Sequence, residues 1–474
     1  MRKNNTLMLS MLLAISSMPN AFSNAGPVGP APQPAPAVAP GCATAVPYMY
    51  VYDTPYVFYK NEMGNTELSF GARVKADFYY DVDGKQPSTS STFGLDDNAI
   101  PLKGWDPDAK RKGNFNAGIN ASRFSFGVKQ KWDHVLADGY FETDFNGGLA
   151  SGVRTSTSSL LRVRHFYGKL ADLDRNYEIL IGQTWNNFAT PDVNPFTANN
   201  VPPAFRNVQV RGTFKIVPCL FASVSVEKPN TQYYQFTTPA ATGTNGYFDN
   251  DSGFSKNRVP DLTAKVQYYK GTTLLAVRGV VRRQEMKVFD FRSNGSNANY
   301  HKTKTAWGLG ASAMFKIFEP LAFMGQVQGG KGIGRYIDDL ANQNPFDSYF
   351  QYSTGASHTP VDAFSLFKAI NFIGGLTVTW CKPLETNIGA AYTRVHLPKN
   401  AAFTTSAVNL TSLTSSAIAL PTRQLQRYFV NLVWKPVEKN FFILEAEHYR
   451  RKAGHDATFK GHDTRIVFSF IRNF

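Results

Sequence analysis

Apolar and polar side chains alternate with a strict period of two along most of this chain. In residues 68–81, Leu68, Phe70, Ala72, Val74, Ala76, Phe78 and Tyr80 fall on one parity, and Ser69, Gly71, Arg73, Lys75, Asp77 and Tyr79 on the other. Successive side chains of a β-strand point to opposite faces, so this pattern is that of a strand with one apolar face. The split recurs with Leu262, Ala264, Val266 and Tyr268 against Asp261, Thr263, Lys265 and Gln267. It recurs again with Trp307, Leu309, Ala311, Ala313 and Phe315 against Gly308, Gly310, Ser312 and Met314, and with Tyr428, Val430, Leu432 and Trp434 against Arg427, Asn431 and Lys435. Sixteen such segments are centred near residues 74, 125, 142, 165, 181, 211, 224, 265, 278, 311, 326, 375, 391, 430, 446 and 468. The count is even, and about 25 residues per repeat leaves room for membrane-spanning strands of ~10 residues.

Composition narrows the class. The 474 residues are 43% hydrophobic, 14% aromatic and only 18% charged, with a formal net charge of +15. So many aromatics argue against disorder. Mean hydropathy is negative, and beyond the N-terminus no run approaches the ~18 apolar residues of a spanning helix. Two classes remain, a large soluble β protein and a chain that crosses a membrane with strands.

The connections separate them. Four tight turns share one pattern in which an aromatic ends the strand, a Lys follows and a Pro stops the ladder: Phe214, Lys215 and Pro218; Phe315, Lys316 and Pro320; Trp380, Lys382 and Pro383; Trp434, Lys435 and Pro436. Proline cannot donate to a β-ladder. A ring and a cation at a common height suit the membrane interface. Between these turns lie long polar connections, for example residues 82–117, 229–257, 285–304, 337–368 and 397–423. Short turns on one side and long loops on the other predict an all-β fold: a 16-stranded antiparallel transmembrane barrel with its turns in the periplasm. Ile466, Phe468, Phe470 and Phe474 share the parity expected of a final strand read by the barrel-assembly machinery, with Arg472 departing from it.

The N-terminus specifies export. Arg2 and Lys3 precede an apolar run at residues 7–17, and Ser23, Asn24 and Ala25 supply a small-residue cleavage site. Residues 1–25 therefore read as a signal peptide, residues 26–66 as a Pro/Ala-rich periplasmic extension, and residues 67–474 as the barrel. Three cysteines, Cys42, Cys219 and Cys381, are too few for a disulfide scaffold; a Cys219–Cys381 pair is one option in an oxidising compartment.

Several stretches resemble a known family, the DcaP-like porins of the Gram-negative outer membrane. They are Leu161 to Tyr167 (LRVRHFY), Ile181 to Phe188 (IGQTWNNF), Pro260 to Val266 (PDLTAKV), Gly332 to Ile337 (GIGRYI) and Asn431 to Pro436 (NLVWKP). The resemblance covers roughly residues 68–474 and implies a trimeric 16-stranded channel favouring small anions, dicarboxylates included. The Pro/Ala tract departs from the coiled coil that family members can carry at this position.

The inward parity points the same way without the family. If the apolar parity faces lipid, the lumen receives Arg73, Lys75, Arg123, Lys129, Arg162, Arg164, Arg211, Lys215, Lys265, Arg278 and Arg282, against Asp77, Glu142, Asp144, Glu178, Glu227 and Asp261. Basic side chains in a water-filled lumen favour anions. At strand ends, the same residues would instead contact headgroups or lipopolysaccharide. Residues 186–205 carry four prolines and read as an inward-folded constriction loop with Asn186, Asp192, Asn194 and Asn199; the alternative is an ordinary external loop.

Other patterns carry less. Residues 329–334 (GGKGIG) mimic a phosphate loop but lack the Ser/Thr after Lys331, and read as a glycine-softened strand. Asp81 and Asp83, residues 249–253, and His448, His455 and His462 lack a complete metal-ligand pattern. No metal, cofactor or nucleic acid is expected, and no Ser/His/Asp set argues for an enzyme. The expectation is an outer-membrane porin, the alternative class being an outer-membrane adhesin or structural barrel that acts through its long external loops.

Overall fold

The computed structural model describes residues 56–60, 65–83, 100–103, 112–146, 160–188, 205–229, 233–236, 247–248, 258–291, 297–337, 348–352, 360–396, 422–453 and 459–474. Residues 1–25, read from sequence as a signal peptide, and most of residues 26–66 lie outside them. Sixteen strands make a closed antiparallel barrel. They are β1 (Thr66–Asp81), β2 (Arg123–Lys131), β3 (Val135–Asp144), β4 (Arg162–Asp172), β5 (Tyr177–Trp185), β6 (Arg206–Val217), β7 (Leu220–Glu227) and β8 (Asp261–Lys270). The circuit continues with β9 (Thr273–Phe291), β10 (Asn297–Phe318), β11 (Leu321–Lys331), β12 (Lys368–Cys381), β13 (Leu384–His396), β14 (Thr422–Trp434), β15 (Asn440–Ala453) and β16 (Phe459–Asn473). Each of the sixteen segments located by alternation falls within one of these strands. β16 closes onto β1 with Arg73 opposite Asn473 and Asp81 opposite Arg465.

Two short strands, Tyr56–Lys60 and Asn114–Gly118, pair alongside β1. Tyr56–Lys60 belongs to the stretch assigned from sequence to the extension. A separate four-stranded sheet joins Tyr247–Phe248, Tyr233–Phe236, Ser348–Tyr352 and Pro360–Leu366, so two of the long connections meet outside the barrel ladder.

Burial is inverted relative to a soluble protein. On β2, Arg123 and Ser125 are buried while Phe124, Phe126 and Val128 are exposed. The exposed parity forms the lipid face, where Val277 is 63% and Leu309 62% accessible. The turns are short, as Val217 pairs with Leu220, Lys270 with Thr273 and Phe318 with Leu321. At this end Trp380 and Trp434 are exposed, and Trp434 packs on Phe442 at 5.3 Å. Arg472, the departure in the final strand, lies 5.2 Å from the terminal Phe474 ring.

Four expectations need correction. Residues 285–304 are not mainly loop: β9 and β10 stay paired from Glu285 opposite Thr303 to Phe291 opposite Asn297, because Val288 and Phe289 extend the ladder. Residues 329–334 are a strand only as far as Lys331; Gly332 has φ +69° and a 3₁₀ turn, Gly334–Tyr336, follows. The inward face is not uniformly polar, since Tyr79, Val433, Phe441, Ile443, Val467 and Ile471 cluster there. Finally, Cys219 is disulfide-bonded while Cys381 is free and exposed, which excludes the Cys219–Cys381 pair.

Candidate functional site: the inner wall and its inward-turned segments

The densest charge on the inner wall spans β2 to β6. Arg123 on β2 lies opposite Asp144 on β3, and Asp144 opposite Arg162 on β4. Between β3 and β4 the register slips, with Glu142 opposite His165 but Thr143 opposite Val163, leaving Arg164 as the extra residue. Such a bulge re-aims side chains, and Arg164 and His165 are consecutive residues that are both buried. Gly182 on β5 accommodates the distortion: its φ is +134°, and a Cβ there would lie 2.3 Å from the Phe166 carbonyl oxygen.

Two carboxylates organise the cations. Arg162 donates Nε to Asp144 at 3.0 Å and a terminal nitrogen at 2.7 Å. Arg164 reaches Asp144 at 2.7 Å and Glu142 through Nε. Arg123 stands 3.8 Å from Glu142, which also accepts the Tyr140 hydroxyl at 2.9 Å. Arg206 lies over the Trp185 ring at 4.7 Å, and Arg164 is 5.8 Å from the same ring. His165 packs edge-on against Trp185 at 5.2 Å and meets Thr184 at 3.0 Å. Thus three guanidiniums engage two carboxylates, and a fourth, that of Arg206, stacks on the adjoining Trp185. The Arg162 side chain remains 36% exposed whereas that of Arg164 is 6% exposed. A guanidinium held on one edge by a carboxylate keeps donors for an oxyanion on another.

The other residues named from sequence are more dispersed. Lys75 is buried 3.2 Å from Asp77, and Arg73 bonds Asn473 at 2.9 Å. Arg211 and Arg278 are buried on the inward parity, whereas Lys215 and Lys265 are half-buried. Lys129 is at the short-turn rim, 3.7 Å from Glu67. Arg282 is buried 2.8 Å from Asp261. Asn186 is described and fully buried; Asp192, Asn194 and Asn199 lie outside the described residues.

Sequence reasoning undercounted the acids. Asp81 pairs with Arg465, Glu447 with Arg427, and Glu445 accepts from Asn431 at 2.9 Å. Asp138, Glu285 and Asp463 are also on the inner side or its rim. Asp81, part of an incomplete metal-ligand pattern in the sequence, is thus engaged by the Arg465 guanidinium. On β15, Phe441 and Ile443 make the inward parity begin as apolar as the outward one, which hides Glu445 and Glu447 from a parity count. The local excess of cations therefore belongs to β2–β6, not to the wall as a whole.

Two chain segments turn inward over the wall. After β5, Asn186 bonds its backbone N–H to the Phe205 carbonyl at 2.8 Å, so the two ends of the loop are joined. Glu227 accepts from Asn186, from the Asn187 backbone at 3.1 Å, from Ser225 at 2.6 Å, from Thr263 at 2.9 Å and from Asn207 at 3.4 Å. After β11, residues 332–337 fold onto the same region, and Phe188, Ile333, Tyr336, Ile337 and Phe367 form an apolar core inside the barrel. Burial, ahead of the nearby Asp261 carboxylate, pushes the Tyr336 phenol well above its ordinary range, so it serves as a donor. Among the described residues, no group of three His, Cys, Asp or Glu is arranged to hold a metal ion.

No protein-family model matches the sequence, and no curated protein matches it. Solved structures do. The outer membrane channel DcaP of Acinetobacter baumannii superposes with a TM-score of 0.62 at 18% identity, over 88% of this chain and 99% of that one. An anion-selective porin from Comamonas acidovorans gives 0.49 at 10% identity, over 86% of this chain and all of that one. With its closed antiparallel circuit, lipid-facing apolar parity and charged interior, this chain has the barrel fold of the outer membrane channel DcaP.

Proposed function

We propose that the chain is a passive diffusion porin of the bacterial outer membrane, with a lumen that favours small anions, dicarboxylates among them, and that it works as a homotrimer. The observation that carries this reading is the cluster of Arg123, Arg162 and Arg164 on Glu142 and Asp144, with Arg206 stacked on the neighbouring Trp185. In a narrow lumen with low-dielectric walls, such a local excess concentrates anions and opposes cations. A small dicarboxylate would meet the partly exposed Arg162 guanidinium, which Asp144 already holds in place, and this lowers the ordering cost of binding. Lipid and lipopolysaccharide contact the outer face, the barrel-assembly machinery inserts the chain, and the barrel performs no covalent chemistry.

Planar-bilayer recording tests this. Three-step openings and a reversal potential displaced toward anions under a salt gradient are expected. A folded protein that does not conduct would overturn the porin reading in favour of a barrel acting through its external loops.

A further inference from the structure

We propose that residues 332–337 are a lumenal clamp, and that Tyr336 is the positioning residue through which this segment fixes Phe188 and Phe205, the two ends of the connection between β5 and β6. The consequence for transport rests on the porin reading; the clamp itself rests on contacts.

The segment is built to be rigid. At Gly332 a Cβ would lie 2.6 Å from the Ala306 Cβ and 2.7 Å from the Gln284 amide nitrogen, so the turn inward requires glycine. The Gly332 N–H donates to the Phe367 carbonyl at 2.8 Å. Its carbonyl accepts from Arg282 at 2.8 Å and Gln284 at 2.7 Å, both on the inward face of β9. Four residues on, the Tyr336 carbonyl accepts from Gln328 at 2.6 Å, and its hydroxyl donates to Asp261 at 2.8 Å. Asp261 is in turn fixed by Arg282, whose guanidinium lies 5.0 Å from the Tyr336 ring. Both ends of the turn are thereby tied to β8, β9 and β11.

This platform meets both ends of one loop. Tyr336 packs edge-on against Phe188 at 5.5 Å and against Phe205 at 5.5 Å. Arg335 lies 3.9 Å from the Phe205 ring. Phe188 and Phe205 flank the loop whose ends are joined by the Asn186 to Phe205 hydrogen bond. Glu227 anchors that junction to β7 from one side; on its own, such a junction acts as a hinge. Contact from Tyr336 on the other side removes the rotation a hinge allows. Asp261 and Glu227 thus act as anchors, with their charge spent on Arg282 and on a ring of donors instead of attracting cations into the lumen.

Limited proteolysis of the purified full-length protein, with cleavage between residues 188 and 205 as readout, tests the clamp beside single-channel recording. Tyr336→Ala is expected to speed that cleavage about tenfold or more, the scale of losing one hydrogen bond to a charged acceptor, and to increase open-channel noise. Tyr336→Phe loses the same hydrogen bond but keeps both ring contacts, and is expected to reach about tenfold, with Tyr336→Ala exceeding it. A folded Tyr336→Ala barrel, with wild-type heat-modifiability, that is cleaved at the wild-type rate would refute the clamp. If that variant does not fold, Phe205→Ala replaces it, and cleavage at the wild-type rate would again refute the proposal. Wild-type protein that fails to conduct would sink the porin reading alone, because proteolysis tests the clamp separately.

Discussion

Arg164 meets Asp144 at 2.7 Å across the bulge between β3 and β4, and the same guanidinium reaches Glu142. Arg162 shares Asp144 with it but keeps more than a third of its side chain exposed. These neighbours on one strand therefore differ in surroundings: Arg164 is buried in the wall, and Arg162 stays partly exposed.

Selectivity and stability should separate accordingly. Arg162→Gln is expected to move the reversal potential toward zero while changing barrel stability by no more than about 1 kcal/mol. Arg164→Ala removes one partner of a buried ion pair and is expected to cost about 3–5 kcal/mol. Bilayer recording and urea titration of heat-modifiability measure the two effects. An unchanged reversal potential in Arg162→Gln would remove Arg162 from the filter.

Gly182→Ala should impair folding. The residue sits at φ +134° with the Phe166 carbonyl oxygen where a Cβ would go. Strain of this type costs about 1–3 kcal/mol before the clash is counted. Refolding yield into detergent is expected to fall, whereas Gly212→Ala, with nothing within 4 Å of the added Cβ, should refold normally.

The lipid face can be mapped with a cation. Val277→Arg, at a site 63% exposed on the apolar parity, is expected to cost up to about 2–4 kcal/mol. Trp380→Arg at the turn rim should cost about 0–1 kcal/mol. Equal costs at the two sites would contradict the assignment of that parity to hydrocarbon.

The cysteines give a covalent test. Cys381 is expected to alkylate in the folded, unreduced protein, and Cys219 only after reduction. A Cys219–Cys381 peptide would contradict the structure.

Alternation alone located all sixteen strands, because a barrel wall between lipid and water imposes opposite chemistry on successive residues, and that opposition is written directly into the chain. The short turns followed from the Pro and Lys positions for the same local reason. The parity of Arg162 and Arg164 was legible too. What was not legible depends on departures from period two and on contacts between distant strands. One extra residue at Arg164 brings His165 to the inner face against the alternation. Apolar residues on both parities of β15 conceal Glu445 and Glu447. The partnership of Tyr336 with Asp261, Phe188 and Phe205 joins positions that only barrel closure brings together. The sequence by itself determined the wall, since each strand records its own two surroundings. Only the tertiary structure decided which charges stay exposed within it, since pairing removes a charge from the lumen and pairing is set by neighbours remote in the chain.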